Sequence, residues 1–157
     1  MEPATSVVLC ALVLLGRSIQ QFPPIELLDI KPAGLSAGTE GFVQRNPDRI
    51  YLITSTPVFR AAMAAQRGGP CVGRETLQKI ASIIVHEEWH LKAGGNEQSA
   101  YEAQLSALAV MGAGPGSPVY AGVLRSMRAV LNKERDGEAA HQQQPPPPQF
   151  AALGGDR

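Results

Sequence analysis

The sequence predicts a small α+β domain, in which a mainly antiparallel sheet packs against one buried helix and two or three further helices. Two observations predict it. Three short apolar runs lie between residues 25 and 54, each of strand length and bounded by Pro- and Gly-bearing loops. From residue 57 onward apolar residues recur instead at helical spacing, in stretches divided by glycines and prolines. At 157 residues the chain is long enough for one real core and too short for two.

Residues 6–16 form an apolar run with the length of a signal-peptide core. Glu2 stands ahead of it where Lys or Arg would be expected, and no small-x-small cleavage site follows. The run is also shorter than the roughly 20 residues a membrane span needs. Residues 1–20 are therefore an apolar N-terminal helix or a signal-like segment, and a buried helix ending near Arg17 is the favoured reading. Pro23-Pro24 then imposes an extended entry. Residues 25–30 read as a strand, 31–38 as a loop and 40–44 as a second, short strand. Asn46-Pro47-Asp48 marks a turn, and residues 50–54, β-branched and aromatic, form the clearest strand. These connections are too short for crossover helices, which is why the sheet is expected to be mainly antiparallel.

Pro57 opens a helix carrying Val58, Phe59, Ala62 and Met63, and Arg67-Gly68-Gly69-Pro70 closes it. In the long helix expected at 74–92, Leu77, Ile80, Ile83, Ile84 and Val85 cover more than one stripe, so core should surround it. Gly94-Gly95 stops that helix, and Asn96 is a good N-cap for the next, at 97–111, whose inward face holds Tyr101, Leu105, Leu108 and Ala109. Residues 119–133 place Val119, Val123, Leu124, Met127, Val130 and Leu131 on one side of a last helix. The folded domain thus spans 21–133. Residues 134–157, with Gln142-Gln143-Gln144 and the prolines from Pro145 to Pro148, read as a disordered Gln/Pro-rich tail.

Lys plus Arg and Asp plus Glu each number 14, and no basic run breaks the balance. No nucleic-acid partner and no stable membrane insertion are expected. Cys10 and Cys71 admit one disulfide or two buried thiols. Two small buried hydrophobes is the favoured reading, and it tilts the location towards the cytoplasm rather than secretion.

The chemistry concentrates in His86-Glu87-Glu88-Trp89-His90. On a helix His86 and His90 share a face one turn apart, with about 5–6 Å between Cβ atoms, which lets two neutral imidazoles reach one ion. Glu87, about 100° further round, can touch water on that ion without ligating it. The His-Glu-x-x-His pattern resembles the zincin metallopeptidases. The resemblance implies that His86 and His90 bind Zn2+ and that Glu87 is the general base on zinc-bound water. The buried helix of the fold would then be a metal-binding helix. A third protein ligand is needed, and Glu97 and Glu102 are the candidates. Glu97, opening Asn96-Glu97-Gln98-Ser99-Ala100-Tyr101, resembles the third ligand of the gluzincins and is chosen on that ground, although counting about the glycine pair favours Glu102. Tyr101 stands where many gluzincins carry an acid that supports a histidine.

Of the neighbours, Glu88 is expected to be exposed or ion-paired, Trp89 to be core, and Tyr101 to be an ordinary buried tyrosine or a donor to a tetrahedral intermediate. By analogy with zincins, residues 50–54 could align an extended peptide. The expected function is zinc-dependent hydrolysis of peptide bonds, with a peptide or protein substrate. The alternatives are a zinc-binding regulatory or interaction domain without peptidase activity, and a helical core whose motif is accidental.

Overall fold

The computed structural model describes residues 1–142 and is a small α+β fold with five α-helices and a three-stranded sheet. The tail residues from Gln143 onward, including Pro145 to Pro148, lie outside the described residues.

Helix α1 (Pro3–Leu14) buries Val7, Val8, Cys10, Ala11 and Leu12. It ends with Gly16 at φ 64°, where the Arg17 and Gly16 amides donate to the carbonyls of Leu12 and Val13. Glycine fits this left-handed cap because it has no Cβ to clash. The N-terminal apolar run is thus helical over most of its length and packs against α3. Among the described residues no helix is long and apolar enough to cross a membrane.

Strands β1 (Ile25–Leu28), β2 (Gly41–Gln44) and β3 (Arg49–Ile53) form one sheet in the order β1-β3-β2. β2 runs antiparallel to β3, pairing Phe42 with Tyr51, but β1 runs parallel to β3, pairing Leu27 with Leu52. The sheet is therefore mixed rather than mainly antiparallel. A parallel pair needs a crossover of a dozen or more residues, and here residues 29–48, β2 included, supply it without a helix. The expectation compared each strand only with its successor.

Helix α2 (Pro57–Ala65) leads to α3 (Arg74–Ala93), which touches α1, α2, α4, α5, β2 and β3. Leu77, Ile80, Ala81 and Ile84 are at most 1% exposed, so core does surround α3. α3 starts at Gly73 with φ 86°, and a Cβ there would stand 2.6 Å from that of Ala65, which only glycine avoids. Helix α4 (Glu97–Val110) is capped by the Asn96 side chain, which accepts from the Ser99 amide, and it packs against α3. Helix α5 (Pro118–Gln142) packs on α4 and runs past Lys133, so the first part of the expected disordered tail is helical.

Cys10 and Cys71 are disulfide-bonded, against the reading as two separate thiols. That reading rests on the general tendency of cysteine to be buried; here only Cys10 is buried, and the fold brings the exposed Cys71, in the segment before α3, alongside α1. The tilt towards a reducing compartment loses its ground with the thiols.

Candidate metal centre

His86, Glu87 and His90 sit in the last turns of α3, each no more than 9% exposed, and Glu97 opens α4 immediately after the glycine turn. The short connection folds α4 back so that its first residue meets the face carrying both histidines. His90 Nε2 lies 3.1 Å from His86 Nε2, and the Glu97 carboxylate places Oε2 3.3 Å from His86 Nε2 and Oε1 3.2 Å from His90 Nε2. Donors held about 2.0–2.1 Å from a tetrahedral zinc ion stand about 3.3 Å apart, so the three groups already have the separation such an ion requires. These three form the metal-competent cluster of His, Cys, Asp and Glu among the described residues.

The outer faces of the two rings fix what the inner faces present. His90 Nδ1 is 2.9 Å from the Gly94 carbonyl, and His86 Nδ1 is 3.0 Å from Oε1 of Gln104. A carbonyl oxygen only accepts, so each Nδ1 carries hydrogen and each neutral ring turns the Nε2 lone pair inward. Two lone pairs and a carboxylate converging within 3.1–3.3 Å repel one another unless a cation lies between them. Without metal a proton does this work. Hydrogen bonding to Glu97 lifts the His90 pKa to about 9, and the two imidazoles that face it, those of His86 and His90, hold Glu97 down to about 2.

Glu87 lies on the same cleft wall, where burial raises its pKa against the pull of His86 and His90. Gly41 of β2 lets the sheet approach closely: a Cβ there would stand 3.3 Å from Glu87 Cγ. The cleft, about 840 Å³, is walled by β2 and its preceding loop on one side and by Val130 and Lys133 of α5 on another. β3 is the central strand, so residues 50–54 have no free edge; the edge strand lining the cleft is β2.

The remaining candidates fall elsewhere. Glu102 is exposed and accepts from Gln98, away from the histidines, because it lies beyond the first turn of α4. Glu88 is buried and paired with Arg17 at 2.8 and 2.6 Å and with Lys92 at 3.2 Å. Arg17 itself stacks over Phe22, 3.7 Å from the ring centroid. Trp89 is 38% exposed and not core, since α3 turns that face outward. Tyr101 packs its ring against His86 with centroids 4.6 Å apart, and burial together with Glu97, Glu40 and Glu87 pushes its pKa up to about 12. With tyrosine in place of the acid that many gluzincins carry there, His86 takes its support from Gln104, which the sequence reading did not single out; a polar residue beside Leu105 and one turn before Leu108, on the inward side of α4, was the signal it offered. No family model matches the chain, and neither a curated protein nor a solved structure matches it.

Proposed function

We propose that this cleft is the active site of a zinc-dependent peptidase. The observation that carries the reading is the convergence of His86 Nε2, His90 Nε2 and the Glu97 carboxylate at tetrahedral separation, with three protein donors and cleft on the remaining side. Structural zinc sites use four protein ligands, whereas hydrolytic ones use three and keep a position open. Two imidazoles and one carboxylate are a donor set that suits zinc. Zinc bound there would supply Lewis acidity, polarising a carbonyl and acidifying water.

The chain's own residues divide the remaining work. Glu87, next to His86 and on the same wall, takes the proton of the attacking water and delivers it to the leaving amine. Its raised pKa suits a group that must both accept and release a proton. Tyr101, kept protonated well above neutral pH, donates a hydrogen bond to the developing oxyanion. The β2 edge at residues 41–43 aligns an extended peptide by strand addition.

The test is elemental analysis of purified protein beside His86→Ala, Glu97→Ala and Glu87→Gln, with peptide turnover measured on each. About one zinc per chain is expected, lost in the first two variants and kept in Glu87→Gln, which should be inactive. Stoichiometric iron in place of zinc, or full turnover in Glu87→Gln, would overturn the peptidase. Zinc retained without any turnover in wild type would favour a regulatory or interaction domain instead.

A further inference from the structure

The buried polar atoms behind His86 form a chain that ends on backbone. Ser82, 0% exposed, donates its hydroxyl hydrogen to the Lys79 carbonyl at 2.7 Å. Its oxygen is then left as an acceptor, and Nε2 of Gln104, 3% exposed, donates to it at 3.0 Å. The amide is thereby oriented with Oε1 towards His86 Nδ1, 3.0 Å away. The inverted amide would set a carbonyl oxygen against the Ser82 oxygen and an NH2 against His86. A ring hydrogen-bonded in that way carries its proton on Nε2, the atom that faces Glu97 and His90, and cannot ligate there.

We infer that Ser82 and Gln104 form a tautomer-setting relay, in which the Lys79 carbonyl dictates which nitrogen of His86 is free to bind metal. The inference rests on the metal-centre reading above and concerns positioning residues that touch neither metal nor substrate. The relay also sets the electronic character of the site. A carboxylate behind a ligating histidine raises its basicity, whereas the neutral Gln104 amide orients the ring without adding charge.

The experiment combines single and double variants with two readouts. Nitrogen-15 spectra of histidine-labelled, metal-free protein report which His86 nitrogen carries hydrogen, and chelator competition reports zinc affinity. Wild type should show hydrogen on Nδ1. Ser82→Ala should mix in the Nε2 form and weaken zinc about tenfold, and Gln104→Leu should weaken it about 10–100-fold. Gln104→Glu should retain zinc, because either carboxylate oxygen accepts from Nδ1. In that background Ser82→Ala should cost nothing further, a dependence that a merely space-filling serine would not have. An equal Ser82→Ala penalty in both backgrounds, or an unchanged His86 tautomer in Ser82→Ala, would overturn the relay. Wild type that binds no zinc would sink the metal centre instead, while the metal-free spectra would still decide the relay.

Discussion

Gly41 of β2 faces α3 beside Glu87, and Gly41→Ala isolates the position of Glu87. The added Cβ would meet the Tyr51 carbonyl at 3.0 Å, Ile83 Cγ2 at 3.2 Å and Glu87 Cγ at 3.3 Å. Ordinary contact begins near 3.4 Å, so something must give by a few tenths of an ångström. The Tyr51 carbonyl is backbone of the central strand, and Ile83 is β-branched on a helix and 6% exposed, so neither yields readily. Glu87 or the whole of β2 must move. Overpacking of this kind costs about 1–3 kcal/mol, a fall in melting midpoint of a few to about 10 °C in a domain of this size. Where a 1 Å misplacement costs about a hundredfold in rate, a shift of about half that costs about tenfold. The assay is thermal unfolding, zinc content and peptide turnover on one preparation. Lower midpoint and turnover with zinc intact is the expected result. An unchanged midpoint would refute the packing argument whether or not a substrate is known, and loss of zinc would move the effect from Glu87 to the ligands.

Two further outcomes follow from the same geometry. In chelator-treated protein His90 is raised from 6.5 to about 9 and Glu97 lowered from 4.5 to about 2, so their pairing stabilises fully between those ordinary values and is lost as pH climbs through 9. Zinc needs neutral His90, so its affinity should tighten about tenfold per pH unit as pH rises from 6.5 to about 9, while the metal-free melting midpoint falls over the same range. Glu97→Gln should flatten the metal-free curve, and slopes of the same sign in the two measurements would refute a shared site. Cys10 and Cys71 are 61 residues apart, a closure worth about 4 kcal/mol, so the double Cys→Ser variant should melt about 10 °C lower. A midpoint within about 2 °C of wild type would show that packing of α1 alone holds this corner.

Much of the fold was legible because its signals are local. The α3 periodicity, the Pro57 start, the Asn96 cap and the glycine stops depend on neighbours within a turn or two, and each sits where expected. The strand segments were legible too, but their pairing was not, because β1 finds β3 only after the chain has passed through β2. The α5 extension shows the limit of composition: an exposed, charged helix carries few of the apolar residues that mark a fold from sequence.

The sequence by itself determined that two histidines and a glutamate share one turn of a buried helix, because four-residue spacing on a helix leaves no other arrangement. Tertiary structure alone decided the rest of the centre. The angle at which α4 returns from Gly94-Gly95 put Glu97 rather than Glu102 against the histidines, and it brought Gln104 across to Ser82 and His86. The disulfide and the Arg17–Glu88 pair join residues more than sixty positions apart. Such contacts depend on how helices cross, a property of the packed core that no local stretch encodes.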